Sequence, residues 1–167
     1  MRGVEATRAG GSGIVIVVHS LAQAIAALRA AVQAGQAVVL ASAPGAASYV
    51  GPGWFGAAID TARAAVPNAQ FSALLDCGDD IGAALAAIRS EIEGVVFTGR
   101  SDVAQRLADI ACQHGVRLLT EQPPVALDLG GDFLATPDTL ELRCARVLRN
   151  PPALRAAGLA ESDRVCQ

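Results

Sequence analysis

Short runs of β-branched and other apolar residues alternate along the chain with longer stretches of helical spacing, and this alternation constrains the fold more than any other feature. In the first helical stretch, Leu21, Ile25 and Leu28 fall on one face of a helix. Strands that alternate with helices of this length pair in parallel through right-handed crossovers. Six runs predict strands, at residues 14–18, 37–41, 71–75, 95–97, 116–119 and 125–129.

The predicted fold is an α/β domain with an open, mostly parallel sheet of five or six strands and helices on both faces, in a flavodoxin-like or Rossmann-like three-layer arrangement. The strands are apolar throughout, as expected when helices cover both faces. A closed eight-unit barrel typically needs ~250 residues, whereas this chain has 167. A half-barrel that pairs with another copy is the less favoured variant. We expect a disordered leader at 1–13, a single domain at 14–158 and a frayed tail at 159–167.

Capping residues mark where several of the helices begin and end. Ser20 and Gln23 form an S-x-x-Q capping box before the first helix, and Gly35 supplies a left-handed stop. Ser101 is the expected N-cap of the fourth helix. Thr136, followed by a proline in the first turn, is the expected N-cap of the last.

The longest predicted loop runs from residue 42 to about residue 52, before a second helix from near Gly53 to Val66. Most strand-to-helix loops have about 2–6 residues. This loop holds the only tyrosine of the chain, Tyr49, and adjoins the only tryptophan, Trp54. Such a loop either covers a ligand on a rigid scaffold, or plugs one end of the sheet or an oligomer contact.

The composition is apolar and weakly acidic, with 52% hydrophobic and 17% charged residues and a net charge of −3. All 13 basic residues are arginine, which indicates a GC-rich, bacterial-like composition. Because no basic stripe is present, a nucleic-acid partner is not expected. The apolar run at 14–18 is followed by His19 and Ser20, well short of the ~20 residues that a membrane-spanning helix needs, so no membrane partner is expected.

The four cysteines, Cys77, Cys112, Cys144 and Cys166, are far apart and form no C-x-x-C pair. This spacing supports neither a zinc site nor a dense disulfide framework. The sequence indicates no other metal and identifies no cofactor. Free thiols in a reducing compartment are the simpler interpretation, and they predict a cytoplasmic protein.

In an open parallel sheet, ligands bind beyond the carboxyl ends of the strands. Helices begin immediately after this edge, and their N-termini attract anions. Arg100, beside Gly99, offers a fork of donors to a phosphate or carboxylate; the alternative is that Arg100 lies in solvent beside a helix that Ser101 caps. We predict a concave pocket for a small molecule, an anionic metabolite being the favoured class, with Arg100 pointing inward. The candidate ligand-binding residues at this edge are His19, Ser42, Tyr49, Asp76, Cys77, Thr98, Arg100 and Glu121.

The turn after the third strand, residues 76–80, concentrates three carboxylates and a thiol. One hypothesis makes Asp76 a general base, or Cys77 a nucleophile activated by His19. The thiol and the imidazole would be adjacent only if strands one and three are neighbours, as in the flavodoxin order. The alternative is structural: Asp79 or Asp80 caps the third helix, and Cys77 fills a small space in the core.

Two segments near this turn resemble part of the class II aldolase barrels. They are Leu75-Asp76-Cys77-Gly78 and, after an alanine-rich helix, the glycine-bearing stretch at 94–101. In that family the matching strand ends in Asp-His-Gly, with a catalytic Asp and a metal-binding His. Asp76 matches the family's Asp, but Cys77 stands where the His would be. The family's later histidines and phosphate loops have no counterpart here, so the resemblance carries no activity over to this chain.

Two classes of function therefore remain open, and whether the protein is an enzyme is not decided. The first is small-molecule binding at the carboxyl edge of the sheet. The second is a non-catalytic interaction module that forms homo-oligomers, or a degenerate relative of an enzyme. The alanine-rich helices leave apolar surface that another copy would cover, either through helix faces or through the segment 129–158.

Overall fold

The computed structural model describes residues 13–152. Within that range the first five strands alternate with helices and a sixth strand follows the fifth directly; the predicted fold class, α/β with a mostly parallel sheet, is confirmed. The strands are β1 Ile14–Val17, β2 Val38–Ala41, β3 Phe71–Asp76, β4 Gly94–Val96, β5 Arg117–Leu119 and β6 Val125–Asp128. The helices are α1 Leu21–Ala34, α2 Ala47–Ala65, α3 Ile81–Arg89, α4 Ser101–Gln113 and α5 Pro137–Arg149. Residues 1–12 of the predicted leader and the whole predicted tail lie outside the described residues.

The sheet has the order β5-β4-β3-β2-β1-β6, and every pair of neighbouring strands is parallel. The first five strands therefore lie side by side in chain order. The flavodoxin order, in which strands one and three are neighbours, is wrong for this chain because β2 lies between β1 and β3. Each crossover advances the chain by one strand in the same direction, so no reversal occurs between β1 and β5.

The helices follow the strands in order, with packed pairs α5–α1, α1–α2, α2–α3 and α3–α4. The main core lies between this helix layer and one face of the sheet, where Ile16 and Leu75 are packed with Leu28 and Ile88. A second, smaller core on the other face contains strand residues and, among the described residues, no helix residue: Val15, Val17, Val39, Ala41, Leu74 and Val96. This is the helix arrangement of the half-barrel variant of the predicted fold class.

The sheet is curled, and the connection between its two edge strands shows why. Residues 120–124 join β5 to β6, and a connection of that length spans about 20 Å when fully extended. The edges of a flat six-stranded sheet would lie about 24 Å apart. Along this connection, Nε2 of Gln122 donates to Oδ2 of Asp76 at the end of β3, over 2.8 Å. Because all strands are parallel, the connection must also return from the carboxyl end of β5 to the amino end of β6, so the sheet must bend its edges toward each other.

The caps of α1 form as predicted, with one difference in the capping box. The hydroxyl of Ser20 accepts from the backbone N–H of Gln23 at 3.2 Å, and Gly35 ends the helix with φ 63°. The Gln23 side chain does not return to the N–H of Ser20. It accepts from the N–H of His19 at 2.7 Å, and its amide donates to the Leu129 carbonyl at 2.9 Å. Gln23 therefore joins the end of β1 to the segment after β6.

Two helix starts differ from the prediction. Helix α2 begins at Ala47, so the long loop predicted for 42–52 is shorter, and Gly51 kinks the helix with φ 75° and ψ 155°. That combination is essentially restricted to glycine, and Pro52 starts the straight part of the helix. At α4 the N-cap is Arg100, without a side-chain cap, and Ser101 is the first helical residue. At α5 the prediction is confirmed, because the Thr136 hydroxyl accepts from the N–H of Thr139.

The cysteines are not all free thiols. Cys77 and Cys144 are free and buried, but Cys112 is disulfide-bonded, so the expectation of free thiols is wrong at that position. Among residues 13–152, no helix is both long and apolar enough to cross a lipid bilayer.

Candidate functional site

A cavity of about 160 Å³ lies beyond the carboxyl ends of β1 and β2, between the start of α1 and the first half of α2. Its polar wall comes from the residues that directly follow the two strands. The remaining walls are aromatic or aliphatic, and the segment after β6 adds one more ring. The side chains that matter here are His19, Ser20, Ser42, Tyr49, Trp54, Phe55 and Phe133.

The kink at Gly51 shapes the helical wall of the cavity. The short turn before the kink carries Tyr49 and Val50, and the helix after it carries Trp54 and Phe55. All four line the same space. Phe55 is buried, whereas Tyr49 is 70% exposed and Trp54 is 54% exposed. The two exposed rings therefore lie at the mouth, and the buried ring lies at the inner wall.

His19 is paired with a carboxylate that the sequence did not point to. Its Nε2 lies 2.7 Å from Oδ1 of Asp128, at the end of β6. The same oxygen accepts from the backbone N–H of Gly130 at 2.8 Å. Burial raises the pKa of Asp128, but the hydrogen bonds from Gly130 and His19 outweigh it and hold that pKa below its usual value. An ionised carboxylate therefore orients the imidazole at the cavity wall.

The surroundings of this pair leave little room for it to move. A Cβ at Gly130 would lie 2.9 Å from Nε2 of His19 and 3.1 Å from Oδ1 of Asp128. The ring of Phe133 meets the imidazole edge-on, with centroids 6.0 Å apart and planes at 63°. Glycine at position 130 thus allows the backbone to approach the pair closely.

Asp76 lies at the same edge of the sheet, but hydrogen bonds within the protein occupy both of its carboxylate oxygens. The residue is buried, and its Oδ1 accepts from the N–H groups of Gly45 and Gly78, each at 2.8 Å. Its Oδ2 accepts from Gln122, and its own N–H donates to the Ser42 hydroxyl at 2.9 Å. The carboxylate therefore ties three connections together, and this role leaves it poorly placed as a general base.

Cys77 is placed in the core, as the structural alternative predicted. Burial raises its pKa to about 12, with a smaller part of the increase due to the nearby carboxylates of Asp76 and Asp80. Since the thiolate is the nucleophile, this thiol is unreactive near neutral pH. Because β2 lies between β1 and β3, the condition for a Cys77–His19 pair is not met.

Three further candidates lie away from the cavity. Thr98 is exposed, and its N–H donates to the Gly78 carbonyl at 2.8 Å. Glu121 is also exposed. Arg100 pairs with Asp102 at 2.7 Å, and its side chain is 80% exposed. The prediction that Arg100 points inward is wrong, because Asp102 in the first turn of α4 supplies a counter-charge on the solvent side.

Of the eight predicted residues, the structure brings His19, Ser42 and Tyr49 together at the cavity. The sequence analysis missed Asp128 and Phe133. The strand-end rule did not find Asp128, because the sixth strand was predicted to run to residue 129, whereas β6 ends at Asp128. Phe133 carries no such signal, because only the packing of the segment after β6 against α1 brings it to the cavity.

Comparison with known proteins gives a fold but no family. No family model matches the chain, and no curated protein matches it. Among solved structures, it resembles a protein from Coccidioides immitis provisionally assigned as a fructose-1,6-biphosphate aldolase, with a TM-score of 0.53 and 17% identity. The match covers 64% of this chain and 44% of that one. At this identity the likeness shows a similar α/β fold alone, over less than half of the other protein's length.

Proposed function

We propose that this protein binds a small molecule in the cavity beyond β1 and β2. The observation that carries the proposal is the position of the cavity. It lies at the carboxyl edge of a parallel sheet, where ligands bind in folds of this kind, and it combines an apolar interior with a few polar groups, as ligand sites do. His19, Ser20 and Ser42 are the polar residues on the sheet side. The hydroxyls of Ser20 and Ser42 already bind backbone groups, so His19 offers the main polar contact to a ligand.

Binding without catalysis agrees best with the chemistry of the edge. The Asp76 carboxylate is engaged on both oxygens, and the Cys77 thiol stays protonated near neutral pH. The fold likeness to a protein assigned as an aldolase fits a degenerate relative of an enzyme. The sequence analysis favoured an anionic ligand, but the outward position of Arg100 removes the basis for that choice.

The chain supplies its own reporter for a binding experiment, because its only tryptophan, Trp54, lines the cavity. A panel including phenol, cyclohexanol and benzoate would be titrated while Trp54 fluorescence and ligand-observed NMR are recorded. At least one probe should saturate the fluorescence change. If none binds to the folded protein at millimolar concentration, the proposal is wrong.

Two neighbouring alanines of α2 give a matched pair of variants. Ala58 lines the cavity, whereas Ala57 is exposed. Ala58→Leu should fill the space and abolish binding, and Ala57→Leu should bind as the natural chain does. Equal binding by both variants would place the ligand elsewhere.

Self-association is the second candidate, favoured by an apolar pair in the segment after β6. Phe133 is 65% exposed and the adjacent Leu134 is 100% exposed. Exposed apolar side chains that lie next to each other are typical of contact surfaces between proteins. Light scattering at micromolar concentration should give the mass of an oligomer, which Leu134→Ser should reduce. A monomer for the natural chain would exclude this candidate.

A further inference from the structure

We infer that the cavity takes a neutral, single-ring aromatic molecule that carries one hydrogen-bond donor, as phenol does, and that Nδ1 of His19 accepts this donor. The inference rests on the proposed function and names its ligand class. Three properties of the cavity support it: its volume, the hydrogen bond that orients the imidazole of His19, and the absence of charged side chains among the described residues of its walls.

The volume and the walls suit one aromatic ring. The cavity measures about 160 Å³, and an apolar protein cavity of about 150 Å³ takes one benzene molecule. Trp54 and Tyr49 at the mouth, with Phe55 and Phe133 on other walls, offer edges and faces to such a ring. Aromatic pairs gain about 0.5–1.5 kcal/mol beyond the area they bury.

The Asp128 carboxylate decides which nitrogen of His19 is left for a ligand. A carboxylate only accepts hydrogen bonds, so the nitrogen 2.7 Å from it, Nε2, carries the proton. In a neutral imidazole the other nitrogen, Nδ1, is then a bare acceptor. A ligand with a hydroxyl or N–H group satisfies that acceptor, whereas a ligand with acceptors alone does not.

Gln23 is a positioning residue for this arrangement. It is buried, with 1% of its surface exposed. Its side chain forms hydrogen bonds with backbone groups at or next to each member of the His19–Asp128 pair. Its Oε1 accepts from the N–H of His19, and its Nε2 donates to the carbonyl of Leu129, next to Asp128. The two halves of the pair, which are far apart in sequence, are thereby held in register.

The walls select against a charged ligand. Among the described residues that line the cavity, none is Asp, Glu or Arg, and the chain has no lysine. A carboxylate or ammonium group placed there would lose its hydration without gaining an ionic partner, which is costly in an apolar space. A neutral donor loses much less, because one hydrogen bond replaces the one it gave to water.

The test compares four probes at about pH 8, where an ordinary imidazole is neutral: phenol, anisole, benzene and benzoate. Trp54 fluorescence and ligand-observed NMR would report their dissociation constants. Phenol should bind about 3- to 10-fold more tightly than benzene or anisole, as expected for one net hydrogen bond. Benzoate should bind more weakly than all three.

His19→Phe supplies the structural test, because it removes the imidazole acceptor and keeps an aromatic ring at the cavity wall. The preference for phenol over anisole should fall toward one in this variant. His114→Phe, the same substitution at the exposed end of α4, should keep the preference.

The outcomes separate the two proposals. If no probe binds, the proposed function itself fails. If phenol, anisole and benzene bind equally, or benzoate binds best, the cavity is a ligand site but the ligand class inferred here is wrong. If phenol is preferred and His19→Phe leaves that preference unchanged, His19 is not the group that accepts the hydrogen bond of the ligand.

Discussion

Two parts of the same sheet edge behave differently, although the strand-end rule pointed to both. Beyond β1 and β2, the side chains of His19 and Ser42 line an open cavity. Beyond β3 and β4, the Asp76 carboxylate accepts hydrogen bonds from neighbouring connections on both oxygens, and Arg100 lies in solvent, paired with Asp102. We call these the open part and the tied part of the edge.

The difference shows that a polar residue at a strand end is only a candidate until its neighbours are known. In the tied part, short connections bring backbone N–H groups to the one carboxylate, and buried N–H groups need acceptors. In the open part, the kink at Gly51 separates a short first turn of α2 from the rest of the helix, and residues of both pieces line the cavity. Three predictions test this contrast.

The largest effect is expected from Asp76→Ala in the tied part. It leaves the N–H groups of Gly45 and Gly78 without their acceptor and should lower the free energy of unfolding by about 3 kcal/mol. Asp76→Asn keeps one acceptor oxygen and should cost less. Urea denaturation measures both. A loss of probe binding in a folded Asp76→Asn protein, without a loss of stability, would show that Asp76 belongs to the open part after all.

A smaller effect is expected in the open part from Gly51→Ala. The φ and ψ of Gly51 are strained for any side chain, so the change should cost about 1–3 kcal/mol and weaken probe binding by moving Tyr49. Gly53→Ala is the matched control, because Gly53 lies in the same helix without a positive φ and with open space around it. It should be neutral or slightly stabilising. Equal effects of the two substitutions would remove the role of the kink.

The smallest effect concerns the buried thiol of Cys77, which directly follows β3 in the tied part. It is expected only at alkaline pH. Burial raises the pKa of Cys77 to about 12 in the folded state, against an ordinary value of 9.0. The folded protein holds this proton more tightly than the unfolded chain does. The thiol therefore contributes its full stabilisation of the fold below about pH 9, and this stabilisation is lost as pH rises toward 12. One such thiol predicts a loss of about 1 kcal/mol at pH 10.

Cys77→Ala should flatten that part of the pH profile of unfolding free energy. A profile that is unchanged by the substitution would mean that Cys77 is accessible to solvent. Slow reaction of the folded protein with iodoacetamide at Cys77 is expected for the same reason.

Much of the local structure could be predicted because local structure depends on nearby residues. All six strands lie where the β-branched runs predicted them, within one residue at each end. The caps at Ser20, Gly35 and Thr136 follow from side chains and backbone a few positions apart. The start of α2 could not be predicted, since glycine and proline favour a loop locally, whereas in the fold Ala46 and Ala47 are buried in the main core at the start of a helical turn.

The sequence by itself determined the elements, their parallel pairing and the edge at which a ligand site would lie, because periodicity and capping act over a few residues. Tertiary structure decided the strand order, the curl of the sheet and the partners of each polar group. His19 and Asp128 meet across 109 positions of the chain, and Gln122 reaches Asp76 across 46 positions. Such contacts depend on how all the helices pack at once, and no local pattern of residues encodes that.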